Sequence, residues 1–219
     1  MRSLPKPAVL ALACCLVAAG CTNSGSGTPS RSTVESVGLQ LSDFPPSWQR
    51  VDESLPDVLG KLADCTGIDL SRAGDTQETV GSGVFRNGDR RIWSVTTGYR
   101  SQQGVADRAA AIGSSQADTC IATVLRPSLA DVVPGARTVS SQFTAEPGGF
   151  NTAAAVVGTA TGVVSVDSGG RRAKIRVDVS FIGGNELASV VVFVGVGKQV
   201  PRWIEQTLIF KIARRALAD

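Results

Sequence analysis

The stretch that decides the fold is Arg171-Arg172-Ala173-Lys174-Ile175-Arg176-Val177-Asp178-Val179-Ser180-Phe181-Ile182-Gly183-Gly184-Asn185, followed by Glu186 and the run Leu187 to Val196. From Arg172 to Ile182 it alternates. Ala173, Ile175, Val177, Val179 and Phe181 fall on one side, and Arg172, Lys174, Arg176, Asp178 and Ser180 on the other. A period of two describes a strand with one buried and one wet face. Gly183-Gly184-Asn185 reverses the chain, and Leu187 to Val196 is apolar at both parities. That is the pattern of a central strand covered on both sides, and so short a turn makes the pair antiparallel.

Working outward, Arg137 to Glu146 is a strand bounded by Pro134-Gly135 and Pro147-Gly148-Gly149, and Ala154 to Val166 is another, rich in small and β-branched residues. Val80 to Phe85 and Ile92 to Tyr99 also alternate and flank Asn87-Gly88, a strong hairpin signal. Helical spacing replaces alternation elsewhere. Leu55, Val58, Leu59, Leu62 and Cys65 share a face of a helix from about Pro56 to Gly67. Val105, Ala109, Ile112, Gln116, Cys120 and Val124 share a face of a second, from about Gly104 to Leu125, stopped before Pro127. Pro201 opens a last helix with Ile204, Leu208, Ile212 and Leu217 inward. Ahead of all these, Leu39 to Trp48 is an apolar strip halted by Pro45 and Pro46, with Phe44 and Trp48 pinning it to the core.

The order helix, two strands, helix, four strands, helix predicts an α+β domain. It is a mainly antiparallel sheet of about six strands with helices packed on it and one disulfide. Residues 38–219 are enough for one domain with a substantial core.

The N-terminus gives an address. Arg2 and Lys6 precede a charge-free apolar run, Ala8 to Ala19, which is the layout of a secretory signal and is too short for the roughly 20 residues that a bilayer span needs. It ends in Val17-Ala18-Ala19-Gly20-Cys21. Small residues closing on a cysteine resemble the lipobox of bacterial lipoproteins. The resemblance implies cleavage of residues 1–20 and acylation of Cys21, the alternative being an ordinary signal peptide with Cys21 merely nearby. Residues 21–37 are read as a tether after the acylated cysteine, Cys21 being followed by the polar run Thr22-Asn23-Ser24-Gly25-Ser26-Gly27-Thr28-Pro29-Ser30. The expected location is the cell membrane, lipid-anchored on its extracytoplasmic face.

Loss of the signal takes the basic residues from 22 to 20 against 19 acids. A near-neutral exported chain argues against a generic nucleic-acid binder. It also leaves Cys65 and Cys120 as the remaining thiols. Both sit on apolar helix faces in an oxidising compartment, which favours a bridge of roughly 4 kcal/mol in the entropy account. Two inert buried thiols and a redox pair stand as the other readings, the last without a Cys-x-x-Cys.

With the lipobox at Cys21, Cys65-Thr66-Gly67 at a helix end, the hairpin around Ile92-Trp93-Ser94-Val95 and the helix bearing Cys120, the chain resembles a family of actinobacterial cell-envelope lipoproteins. Their exported domain is similar to the extracellular sensor domain of mycobacterial serine/threonine kinases of the PknH type. Such sensor domains carry two disulfides, and this chain has cysteines for one. The resemblance implies a sensor-like domain that binds rather than converts.

Chemistry agrees. The chain has no histidine, which removes the Ser-His-Asp and Cys-His arrangements and the commonest general base. Its sole Ser-x-x-Lys, Ser3 to Lys6, lies in the signal. Gly195-Val196-Gly197-Lys198-Gln199 fails as a phosphate loop, because Val192 stands at the first glycine and Gln199 at the Ser/Thr; it reads as a flexible strand end. Asp64, Asp69 and Asp75 match no calcium loop. No enzyme activity, cofactor or metal is expected. Two binding features remain. Arg172, Lys174 and Arg176, with Arg171 adjoining, could attract an anionic lipid headgroup, an acidic glycan or a protein partner; the plain alternative is a solvated sheet face. The small side chains of Ala153 to Val164 could leave room for a carried lipid, or simply admit close packing.

Overall fold

Leu187–Val196 is the middle strand of a seven-stranded sheet, buried along nearly its whole length. The computed structural model describes residues 29–53, 76–112, 119–120, 122–124, 129, 133, 137–146 and 156–218. The strands are β1 (Gln49–Val51), β2 (Thr76–Asn87), β3 (Arg90–Tyr99), β4 (Arg137–Glu146), β5 (Val156–Ser168), β6 (Arg171–Gly184) and β7 (Leu187–Val196). All neighbours are antiparallel, in the order β1-β2-β3-β7-β6-β5-β4. The sheet is thus two meanders, β1 to β3 and β4 to β7, joined where β3 pairs β7 continuously from Arg90–Gly195 to Gly98–Leu187.

The turns explain the registers. Gly169 and Gly170 take φ of +60° and +82° between the paired Ser168 and Arg171, as a two-residue hairpin loop requires. Asn185, at φ +49°, is the one described non-glycine residue with positive φ and opens the β6–β7 loop; asparagine is among the few side chains that tolerate that region. The β2–β3 loop is Gly88-Asp89, one residue beyond the Asn-Gly expected at its centre, because Asn87 pairs with Arg90.

Helices cover both faces. On one lie α1 (Arg31–Val37) and α3 (Arg202–Ala218), packing Val34, Val37, Ile204, Leu208 and Ile212 with Phe85, Ile92, Val191 and Phe193. On the other lies α2 (Gln102–Ile112), with Val105 over Phe181 and Val190, joined there by the helical residues Cys120 and Val124. Leu129, past the expected stop at Pro127, is also helical and fully buried. Phe44 and Trp48 are buried as expected, Phe44 stacking on Phe85 at 4.4 Å.

Three expectations are corrected. The sheet has seven strands rather than about six, since β1 is too short for any period to be legible. The tether ends before residue 37: Ser30 caps α1 through its Oγ, which accepts from Thr33 N at 3.2 Å, and Val34 and Val37 are fully buried. So short a helix draws its stability from packing, not propensity. The segment after β7 is a tight turn rather than a flexible end. The Lys198 carbonyl lies over Gly195, where a Cβ would come within 2.1 Å of it, and Gly197 N donates to Lys174 O at 2.8 Å. The signal, Cys21, the first expected helix and Cys65 lie outside the described residues.

One ion pair ties the N-terminal segment to α3. Asp43, in the 3-10 turn Leu41–Asp43, is almost fully buried; its Oδ2 accepts from Arg215 Nη1 at 3.0 Å and from Gln40 N at 2.9 Å. Arg215 Nη2 bonds Oδ1, Arg215 Nη1 also donates to Gly38 O at 2.9 Å, and Lys211 Nζ reaches Asp43 O at 3.1 Å. Burial alone would push the carboxyl up. The hydrogen bonds of Arg215 and Gln40, with the charges of Arg215 and Lys211, outweigh it and hold Asp43 below its usual value. Arg215→Met leaves the buried carboxylate only Lys211, at 3.5 Å, as a cation and should cost about 3 kcal/mol, read as a lower urea midpoint. The double change Asp43→Leu with Arg215→Met should recover part of that loss.

Candidate functional site

Away from α1 and α3, the described residues on the α3 side of β4, β5 and the first half of β6 are exposed or half-buried. Along β6, Ser180, Ile182 and Gly184 are buried beneath α3, Asp178 is half-buried, and Arg176, Lys174 and Arg172 are exposed. The registers align this wet row with its neighbours. Thr144 of β4, Thr161 of β5 and Asp178 of β6 form one cross-strand row; Gln142, Val163 and Arg176 form the next. With the backbone of Gly162 and with Gln199 they line a half-open groove of about 300 Å³, at the small end of ligand pockets.

Gln199 arrives by the tight turn after β7. Its Nε2 donates to Asp178 Oδ2 at 3.2 Å, and its carbonyl accepts from Arg90 Nε at 3.2 Å. Burial pushes the Asp178 carboxyl up, against the Gln199 hydrogen bond and the Arg176 charge. Glu205, in the first turn of α3, is pushed up to about 7 by burial and then by the Asp178 charge, with Arg202 opposing. Its Oε1 is buried without a hydrogen-bond partner, and it does not line the groove.

The groove therefore offers a guanidinium, two amides, two hydroxyls and a carboxylate. Such a set can recognise a polar, hydroxyl-rich or anionic group by hydrogen bonds. Of the expected cations, Arg172, Lys174 and Arg176 share this open face and join no salt bridge among the described residues. Only Arg176 lines the groove. Arg171, at the hairpin end, alternates to the other face. Cys120 is buried with Val105 and Val124 and is not free. The small-residue strand shows close packing at Gly162, where a Cβ would lie 2.3 Å from the Phe143 ring.

Sequence reasoning missed Gln142, Thr144, Thr161, Gln199 and Glu205. The first three carried a signal, since they share the parity of the cation row once the hairpin registers are set. Gln199 and Glu205 carried none, because loop closure and helix docking bring them in.

No protein family matches the chain, and no curated protein does. Among solved structures, the extracellular domain of PknH from Mycobacterium tuberculosis is similar to it at 11% identity and a TM-score of 0.43, over 88% of this chain and 98% of that one.

Glu205 makes stability depend on pH. A carboxyl raised from 4.5 to about 7 in the folded chain carries no penalty below 4.5, and stability falls as pH rises between those values. Glu205→Gln should remove that fall. The variant is expected to melt a few degrees above wild type at pH 8, with the gap closing by pH 4.5, in paired thermal scans.

Proposed function

We propose that this chain is a membrane-anchored, non-catalytic binding protein of the bacterial cell envelope. In this reading Cys21 carries the acyl chains, and the domain stands on the extracytoplasmic face of the cell membrane. Cys120 pairs with Cys65, and the groove on the open sheet face takes an anionic, hydroxyl-rich ligand such as an acidic glycan or a lipid headgroup. The observation that carries the reading is the groove itself, where Arg176, Asp178, Gln199, Gln142, Thr144 and Thr161 converge on the bare part of the sheet. Arg172 and Lys174 extend it with positive charge. The absence of histidine from the whole sequence and the position of Glu205 outside the groove both suit holding rather than converting. The lipobox-like ending and the polar run after it support the anchor.

The ligand arm is tested with a panel of neutral and uronate-bearing oligosaccharides, titrated against the full chain by calorimetry. Acidic members should bind. Replacing Arg172, Lys174 and Arg176 together by Gln should weaken them about tenfold, since each exposed cation contributes about 0.5 kcal/mol. Unchanged affinity in the triple variant would reject the patch.

The anchor has its own test. Radiolabelled palmitate should enter the wild type and be absent from Cys21→Ala. Equal labelling of both would remove Cys21 as the acylation site.

A further inference from the structure

Large apolar side chains are exposed at few places on the described surface: Leu41 at 49%, Val139 at 55%, Trp203 at 60% and Phe210 at 53%. Trp203 and Phe210 both belong to α3, and a spacing of seven puts them on one stripe. Gln206, Thr207 and Arg214 are exposed on that stripe and Arg202 beside it. Glu205, the helix's one acid, is turned inward toward Asp178, while Lys211 and Arg215 are drawn down to Asp43. The outward face of α3 thus combines two aromatic rings with two exposed cations, and no carboxylate of the helix is exposed there. Leu41 belongs to the turn that those two basic residues bind, so three of the four exposed residues lie in the α1/α3 layer.

The chain leading back to Cys21 leaves from the same layer. α1 touches α3, and Pro29, just before it, lies where a Cβ on Gly98 would come within 3.2 Å of it. Gly98 pairs with Leu187, and the adjoining β6–β7 loop meets the C-terminal end of α3 through Asn185 Nδ2 and Leu217 O at 3.4 Å. From Pro29 back to Cys21 the backbone reaches at most about 30 Å, close to the length of α3, about 25 Å for its 17 residues. An anchor on so short a leash holds this layer close to the bilayer surface.

We propose that the outer face of α3 lies on the membrane that carries the Cys21 acyl chains, Trp203 and Phe210 entering the headgroup region and Arg202 and Arg214 meeting anionic lipid. This rests on the anchoring reading above. Tryptophan suits the interface because its ring is apolar and its N–H finds polar partners there, and cations flanking an apolar stripe add attraction to anionic lipid. No helix among the described residues is long and apolar enough to cross a membrane, so α3 rests on the surface. The groove opens on the same side of the sheet and would face the headgroups.

Of the chain's three tryptophans, Trp48 and Trp93 are buried and Trp203 is exposed, which makes Trp203 the reporter. The full chain, acylated at Cys21, is bound to vesicles of phosphatidylglycerol and phosphatidylcholine, the latter brominated in the upper acyl chain. Flotation with the vesicles together with quenching of tryptophan emission is expected, and the quenching should be lost in Trp203→Phe and reduced in the Arg202→Gln, Arg214→Gln double variant. Flotation with Trp203 still open to aqueous iodide and untouched by the bromolipid would overturn the docking and leave the anchor standing. A chain that does not float overturns both. Shielding of Trp203 that grows with protein concentration in the absence of vesicles overturns the docking in favour of a second copy of the chain.

Discussion

The pairing of β3 with β7 is the constraint on which the molecule depends. Each meander alone would leave a long apolar strand as a free edge, β3 on one side and β7 on the other. Joined from Arg90–Gly195 to Gly98–Leu187, these edges become the centre of the sheet, where both faces can be covered. The buried hydroxyls along the seam are hydrogen-bonded: Thr96 Oγ1 and Ser189 Oγ meet across it at 3.0 Å, and Ser94 Oγ accepts from Leu39 N at 3.0 Å. Unpaired, such groups would each cost about 1–3 kcal/mol.

The seam also decides where function can sit. Helices gather over the centre, so the wet parities of β4, β5 and the first half of β6 are left bare beside the N-terminal end of α3. The polar groove lies on this uncovered part of the face. The Asp43–Arg215 pair holds the N-terminal strip to the helix that starts just after Gln199 of the groove, so strip, helix and groove are mechanically linked.

Much of this was legible in the sequence wherever a period was long enough to count. β4 and β7 have the bounds that their flanking turns and apolar runs predict, and the alternation of β6 identifies its buried and wet faces as far as Arg176; beyond it α3 covers the wet side, and Ser180, expected there, is buried. β1 and α1 were not legible, since a three-residue strand and a seven-residue helix have too few positions to show a period and are held by tertiary packing. The cation row could be read because it lies along one strand. The groove could not, because its members come from three strands and a turn whose alignment exists only in the folded sheet.

The place of β7 in the sheet bears on the order in which the chain can fold. The strand at the centre is the last one in sequence, and about two fifths of the chain separates the partners Gly98 and Leu187. A chain that emerges N-terminus first therefore cannot complete its sheet until residue 196 is out; until then β3 presents an unpaired edge. Non-local pairings of this kind fold slowly and leave aggregation-prone edges exposed in the interval. Attachment near the N-terminus would keep such half-folded chains apart on a surface while they wait for their final strand.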